Sequence, residues 1–157
     1  MVRRNERGRE AGLGLVARPV TAGALRHVLA VPRLKRELWR RMAFNAICGN
    51  GDDHPRNHGI LHRDGRCGLS DAFDIAPYIT FSGTLAMAVA RDGSAMATTG
   101  NLLKTCENFA YEPKEAAQYI EETKETVAKG WGEEMAACGL PPDTLPAPSF
   151  EWLTGKP

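Results

Sequence analysis

Apolar residues between positions 33 and 47 recur at steps of one, three and four residues, the spacing that one face of an α-helix requires. The stripe consists of Leu34, Leu38, Trp39, Met42, Ala43 and Ile47. Pro32 suits the first turn, where a helix does not use the missing N–H. Gly49 and Gly51 favour an end, because glycine accepts the backbone conformation that follows a last turn. The pattern predicts a helix over residues 33–47 and a loop directly after it.

A β-hairpin is predicted downstream of this loop. Residues 60–62 and 66–69 flank Asp64 and Gly65, a dipeptide typical of tight hairpin turns. The hairpin would carry the chain back to Asp74, close to the loop. Alternation over residues 85–89 is interpreted as another short strand.

Further helices are predicted on both sides of these elements. Thr21 could cap a short helix over residues 22–29, and Thr99 or Asn101 begins a helix that reaches Phe109. The longest helix runs from Pro113 to about residue 138, with a stripe at Ala116, Ile120, Val127, Trp131 and Met135. We therefore predict a mainly α fold, a helical lobe with a small β-hairpin beside the loop.

The 157 residues are enough for one domain, and 43% hydrophobic residues with 25% charged residues are typical of a globular protein. We divide the chain into a basic arm or upstream remnant at 1–30, a lobe at 31–140 and a Pro-rich tail at 141–157. Residues 1–41 carry eleven Lys or Arg and three Glu, whereas residues 42–157 carry nine Lys or Arg and sixteen Asp or Glu. The basic end is either a contact for nucleic acid, phosphate or an acidic partner, or a solvated helix face with a loose arm.

The four cysteines are too far apart in the sequence for a CxxC pair, so no zinc framework is predicted. The N-terminus has no apolar signal region, and no run of eighteen apolar residues occurs. We therefore expect a cytoplasmic protein with reduced thiols and no membrane contact.

The loop after the helix predicted over residues 33–47 concentrates acidic, amide and imidazole side chains. Asp52 and Asn57 are five residues apart, and Asp74 follows seventeen residues after Asn57. Such side chains must be solvated, paired or bound to a metal. The order of acid, amide and acid suits magnesium-dependent phosphoryl transfer, in which one carboxylate orients or deprotonates the attacking hydroxyl. The amide oxygen and the second carboxylate then hold Mg²⁺ against nucleotide phosphates.

Each of these residues also has a structural interpretation. Asp52 and Asp53 suit turns that bond backbone N–H groups, and Asn57 suits a turn or cap. Asp74 could brace a bend. We interpret Asp53 as a structural turn acid and His58 as structural or exposed.

The polar residues recur in an order that resembles the C-terminal lobe of HipA-like serine/threonine kinases, the kinase toxins of bacterial toxin–antitoxin pairs. The matching segments are Phe44-Asn45-x-x-x-Gly49-Asn50-x-Asp52-Asp53-His54-x-x-Asn57-His58 and Leu69-Ser70-x-Ala72-Phe73-Asp74-Ile75-x-Pro77. The resemblance is strongest over residues 38–80 and is compatible to about residue 140.

This resemblance implies a role for each site residue. Asp52 corresponds to the catalytic aspartate, and His54 to a loop histidine that supports it. Asn57 and Asp74 correspond to the magnesium ligands, and Arg56 to a basic residue that could face phosphate. The implied cofactors are Mg²⁺ and ATP, and the implied substrate is a serine or threonine of a protein. The implied partner is a helix-turn-helix antitoxin, so that DNA contact is indirect.

Two groups that such kinases use are not found in the sequence. Gly8, Gly12 and Gly14 lack the strand–loop–helix context of a phosphate loop, and the first lysine, Lys35, falls on a predicted helix. We therefore expect a weak or inactive kinase when the chain is alone. It would be an isolated domain, a truncated gene or half of a split protein.

Two other functions are compatible with the sequence. One is a non-catalytic remnant that binds a partner through its basic arm or an exposed hydrophobic surface. The other is a metal-dependent phosphoesterase built on Asp52, Asp53, His54 and His58, in which the two histidines share a metal if that segment is helical.

Overall fold

The computed structural model describes residues 30–63, 66–78, 80–141, 144 and 147–155. Three α-helices lie in this part of the chain: α1 (Pro32–Cys48), α2 (Thr99–Thr105) and α3 (Pro113–Ala137). Two strands, β1 (Ile60–Arg63) and β2 (Arg66–Leu69), form an antiparallel hairpin. Short 3-10 helices cover Pro55–Asn57, Cys106–Phe109 and Glu151–Thr154. The predicted mainly α architecture with one small hairpin is confirmed.

Helix α1 forms the centre of the core. Pro32 occupies its first turn, and the predicted apolar stripe is buried except for the half-buried Leu38, with Trp39, Ala43 and Ile47 fully inaccessible. The Trp39 indole N–H donates to the Leu102 carbonyl at 3.2 Å, which satisfies the one polar atom of this buried ring. Helices α2 and α3 pack around α1 through these apolar residues.

The hairpin has the register that a two-residue turn produces. Ile60 lies opposite Leu69, and Arg63 lies opposite Arg66. Ser70 extends the pairing because its N–H donates to the Gly59 carbonyl at 2.8 Å. The hairpin therefore returns the chain to the point where it left the loop.

Helices α2 and α3 begin at recognisable signals. Thr98 caps α2, because its hydroxyl oxygen accepts the Asn101 N–H at 3.1 Å. Pro113 lies in the first turn of α3, and Gly139 follows its end with φ 72°. Only the first half of α3 is fixed deeply in the core, through Ala116 and Ile120.

The strand predicted over residues 85–89 is wrong. This segment forms turns, with Leu85 N–H donating to Ala95 and Val89 N–H donating to Ser94, and its nearest approach to a ladder is one bridge between Thr84 and Met96. Leu85 and Val89 are nevertheless buried in the core. The helix predicted over residues 22–29 lies outside the described residues.

Aromatic residues anchor the C-terminal segment. The Trp152 indole N–H donates to the Ala46 carbonyl at 2.8 Å, and its ring packs edge-on against Phe81. Leu153 is buried beside them. Of the helices in the described ranges, none combines the length and apolarity that crossing a membrane requires.

Thiol accessibility provides a test of this core. Cys48 and Cys106 are buried, whereas Cys138 is exposed. Burial raises the pKa of the Cys48 thiol to about 11 and also raises the pKa of Cys106. Because the thiolate is the reactive form, we expect iodoacetamide in mildly alkaline buffer to alkylate Cys138 and spare Cys48 and Cys106 in the folded protein. Peptide mass spectrometry would show this, with urea-unfolded protein as the control. Equal labelling of Cys48 and Cys138 in the folded state would contradict the packing.

Candidate functional site

The candidate loop, residues 49–59, begins where α1 ends. Gly49 has φ 74°, and the N–H groups of Gly49 and Asn50 both donate to the Asn45 carbonyl. A Cβ on Gly51 would lie 3.1 Å from a ring carbon of Tyr78, so the ring would have to shift slightly to admit a side chain there. These constraints fix the direction in which the loop leaves the helix.

The loop brings Asp52 and Asn57 together through the backbone. The Asn57 side-chain nitrogen donates to the Asp52 main-chain carbonyl at 3.2 Å. Asn57 is buried, whereas Asp52 and Arg56 are exposed. The amide oxygen of Asn57 makes no hydrogen bond within the described residues. The loop therefore combines an exposed carboxylate with a fixed amide whose oxygen is available to a ligand.

Asp53 and His58 form a buried pair across the same loop. The His58 Nε2 atom lies 2.7 Å from an Asp53 carboxylate oxygen, and the two side chains are 8% and 3% exposed. The pair closes the loop around the 3-10 helix Pro55–Asn57. It supports the structural interpretation of Asp53, but the partnership with His58 was not predicted. The five-residue spacing of an acid and a histidine was the available signal.

His54 precedes the 3-10 helix and is half-buried. Its Nδ1 atom is buried and has no hydrogen-bond partner among the residues described. The same residues show no hydrogen bond between His54 and the Asp52 carboxylate. The supporting role of His54 therefore stays a prediction.

Asp74 lies on a segment that runs beside the loop, which we call the strap (residues 70–78). The strap is bonded to the loop at both ends, by Ser70 N–H to the Gly59 carbonyl at 2.8 Å and by Tyr78 N–H to the Gly49 carbonyl at 3.0 Å. Asp74 is exposed and has φ 58°, a conformation that aspartate tolerates better than most residues. The structure thus places the Asp74 backbone along the loop that carries Asp52 and Asn57.

A small cavity of about 140 Å³ separates loop, strap and α1. Asn57 and His58 line it from the loop, and Phe73 and Ile75 line it from the strap. The residues on either side of Asp74 therefore face the same cavity as Asn57. The shared cavity is thus what connects the two predicted metal ligands, Asn57 and Asp74, in the structure.

Arg41 connects α1 to the strap and was not predicted to do so. One guanidinium nitrogen donates to the Ser70 carbonyl at 2.6 Å, and the Nε atom donates to Glu37 at 2.9 Å. The Arg41 Nη1 atom is buried without a partner in the described part of the chain. The i,i+4 spacing of Glu37 and Arg41 was visible in the sequence, but the contact with Ser70 depends on the fold.

The donor atoms of the loop and strap suit a hard cation. Asn57 offers an amide oxygen and Asp74 an exposed carboxylate, and Mg²⁺ prefers oxygen ligands completed by water and phosphate. Within the described residues, no group of three or more His, Cys, Asp or Glu side chains could hold a metal. An amide–carboxylate pair is not such a group, so the predicted magnesium site remains a prediction.

The local structure around His54 and His58 disfavours the interpretation as a metal-dependent phosphoesterase. His54 and His58 flank a 3-10 helix of three residues instead of sharing an α-helical face. The His58 Nε2 atom is bonded to Asp53, and its Nδ1 atom is buried without a hydrogen-bond partner in the described part of the chain. The two histidines thus lack the shared helical face on which that interpretation depended.

The fold and the site together define a class of protein. It is a mainly helical domain in which a loop with an acid and an amide follows the central helix and lies beside a small hairpin. The family model of the HipA-like C-terminal domain matches residues 19–131, and the chain belongs to this family. The matched range contains the candidate loop, the hairpin, the strap, α2 and most of α3, and it begins within the predicted basic arm. No curated protein and no solved structure matches the chain.

The buried pair predicts a large effect on stability. We expect His58→Ala to lower the free energy of unfolding by about 3 kcal/mol, because it leaves the Asp53 carboxylate buried without its partner. Urea unfolding followed by circular dichroism would measure this. Lys129→Ala, on an exposed side chain of α3, is the control and should change stability by less than about 0.5 kcal/mol.

A double-mutant cycle tests whether the two side chains act as one unit. The combined Asp53→Asn and His58→Ala variant should lose less stability than the sum of the two single losses, because removing the second partner adds little once the first is gone. Additive losses would show that the pair does not hold the loop.

Proposed function

We propose that this chain carries the catalytic loop and the magnesium ligands of a HipA-like serine/threonine protein kinase, the toxin of a toxin–antitoxin pair. The observation that carries the proposal is the bond from the Asn57 amide to the Asp52 main-chain carbonyl at 3.2 Å. This bond fixes a potential ligand oxygen beside an exposed carboxylate in a chain of this family. Loops of this type position a hydroxyl and a metal in phosphoryl transfer.

Asp52 is assigned to the attacking hydroxyl. Its exposed carboxylate can accept a hydrogen bond from a serine or threonine of a protein substrate and take the proton as the oxygen attacks. The buried Asp53–His58 pair holds the backbone from which Asp52 projects. His54 lies between these residues, and we assign it to support the loop.

Asn57 and Asp74 are assigned to magnesium, and Arg56 to the nucleotide phosphates. The unpartnered oxygen of Asn57 and the exposed carboxylate of Asp74 support this assignment, as does the exposure of Arg56. Bound Mg²⁺ and ATP would supply the γ-phosphoryl group and neutralise its charge. The strap would set the position of Asp74 through its two backbone bonds to the loop.

Phosphoryl transfer also needs groups that this sequence does not show. A phosphate-covering loop and a strand lysine normally hold the nucleotide, and without them the charge on the transferring group is poorly stabilised. We assign these groups to a second lobe outside the 157 residues. The partner in the proposal is a helix-turn-helix antitoxin, through which any contact with DNA would be indirect.

A complementation assay tests the catalytic role. When a lobe with a phosphate loop and strand lysine is added, we expect Mg²⁺-dependent transfer of labelled γ-phosphate to serine or threonine. Asp52→Asn should lower the rate by about 100-fold or more, because the general base is lost. Glu125→Gln makes the same chemical change at an exposed site on α3 and should leave the rate unchanged. Transfer that survives Asp52→Asn would contradict the role of Asp52.

Metal binding can be tested without the second lobe. With Mn²⁺ as a paramagnetic probe in place of Mg²⁺, we expect electron paramagnetic resonance to detect one saturable site. Asp74→Asn should weaken binding by about tenfold, since one charged ligand becomes neutral. Glu125→Gln is again the matched control. Equal Mn²⁺ affinity in the Asp74→Asn variant and the unmodified chain would remove Asp74 from the site.

A non-catalytic role in partner binding is the second candidate. It is supported by three large apolar side chains on the strap, because Phe73, Ile75 and Tyr78 are 47%, 39% and 51% exposed. Such neighbouring apolar exposure is typical of an interaction surface. Thermal melts distinguish the candidates, since Mg²⁺ with ATP should raise the melting temperature only if the loop binds nucleotide.

A further inference from the structure

A groove of about 830 Å³ lies between α1 and the end of β2. One wall is a face of α1, and the other is the chain from Gly68 to Asp71. We call it the α1–β2 groove. The helical wall carries four guanidinium groups, which belong to Arg33, Arg36, Arg40 and Arg41.

Two of these guanidinium groups are neutralised by carboxylates. Arg36 is paired with Glu115, and Arg41 is paired with Glu37. Arg33 has no hydrogen bond or ion pair within the residues described, and Arg40 donates only to the Tyr111 hydroxyl, at 2.5 Å. The groove therefore presents two cationic side chains that form no ion pair with a carboxylate in the described part of the chain.

Aromatic rings keep the cationic wall in place. The Arg36 guanidinium lies 3.8 Å from the centroid of the Tyr111 ring, and the Arg40 guanidinium lies 5.5 Å from the centroid of Tyr119. Tyr111 also packs against Trp39 in a tilted arrangement, with ring centroids 4.7 Å apart. A side chain held in this way loses less conformational entropy when an anion binds.

The opposite wall is the free edge of the hairpin. Residues that face each other in an antiparallel pair alternate between bonded and non-bonded positions. The Ser70 N–H donates to Gly59, so the next pair, Ile60 with Leu69, is non-bonded. The backbone groups of Leu69 therefore point away from β1. In the described residues β2 has no second strand beside it.

We infer that the α1–β2 groove binds an extended, acidic segment of a partner protein, which adds as a third strand beside β2. Backbone groups of the segment would pair with the free edge at Leu69. Alternate side chains of an added strand point to the same side, so acidic residues at every second position would face Arg33 and Arg40. This inference stands on the groove alone and does not depend on phosphoryl transfer.

A peptide is favoured over nucleic acid by the other charges in the groove. The carboxylates of Glu37 and Asp71 also line it. They would repel a phosphate backbone that carries a negative charge on every nucleotide, whereas a peptide can place its acids only where Arg33 and Arg40 lie. A phosphate backbone also lacks the evenly spaced donors and acceptors that a strand edge pairs with.

Fluorescence anisotropy with the full chain tests the inference. The probe is a short labelled peptide, blocked at both ends, in which glutamate alternates with valine or threonine. We expect saturable binding that weakens as salt is added, because exposed charges are screened. The same peptide with lysine in place of glutamate should not bind. A peptide methylated on alternate backbone nitrogens should bind at least about tenfold more weakly, because it cannot pair with a strand edge.

Protein variants locate the binding site. Arg33→Ala should weaken binding of the glutamate peptide about threefold, and Arg33→Glu about tenfold. Lys129→Ala removes the same charge from an exposed position on α3 and should have no effect. Equal binding of the methylated peptide would overturn the strand addition, and equal effects of Arg33→Ala and Lys129→Ala would overturn the location.

The nucleic-acid alternative is a separate arm of the same experiment. A labelled oligothymidylate should bind more weakly than the glutamate peptide at every salt concentration. Tighter binding of the oligonucleotide, lost in Arg33→Glu, would identify the groove as a nucleic-acid site and overturn the inference. No saturable binding of the glutamate peptide would overturn it as well.

Discussion

The carbonyl groups in the last turn of α1 and in the loop directly after it are the constraint on which the arrangement of this domain depends. A helix leaves its last carbonyl groups without partners inside the helix, and here the Ala46 carbonyl accepts the distant Trp152 indole N–H. Just beyond the helix, the Gly49 and Gly51 carbonyls accept the N–H groups of Tyr78 and Ala86. The tail, the strap and the turns after it are thus all joined to one short stretch of chain. This explains how a domain with little sheet holds its irregular segments in place.

The candidate loop begins from that same stretch. Its polar residues divide into two groups, those that are bonded within the fold and those that are not. Asp53 and His58 are buried and bonded to each other through the His58 Nε2 atom, and the Asn57 nitrogen donates to a loop carbonyl. The exposed Asp52 carboxylate and the Asn57 oxygen, in contrast, make no hydrogen bond within the described residues. Two neighbouring acids, Asp52 and Asp53, thus differ in burial and in partners, a difference that their sequence positions do not show.

Local signals in the sequence predicted the parts of the fold that local interactions determine. Pro32 and Gly49 marked α1, and the Asp64-Gly65 dipeptide marked the hairpin, because each acts on its own backbone. The alternation over residues 85–89 was misread as a strand, since burial of Leu85 and Val89 comes from turns that bond to residues 94 and 95. The family and the order of site residues were readable, but the Asp53–His58 pair was not, because a spacing does not show which side chains are buried.

The arginines of α1 likewise show that a sequence does not reveal which side chains are paired in the fold. The sequence shows a basic N-terminal part, and the i,i+4 spacing of Glu37 and Arg41 is a local hint of pairing, but the sequence does not show which arginines of α1 have partners from other segments. In the folded chain Arg36 and Arg41 are structural, since each is paired with a carboxylate and a backbone carbonyl. Arg33 and Arg40 both line the α1–β2 groove and form no ion pair with a carboxylate in the described residues. In the inferred peptide site, recognition of acidic side chains would therefore rest on these two, because recruiting either of the others would cost contacts that hold α3 or the strap against α1.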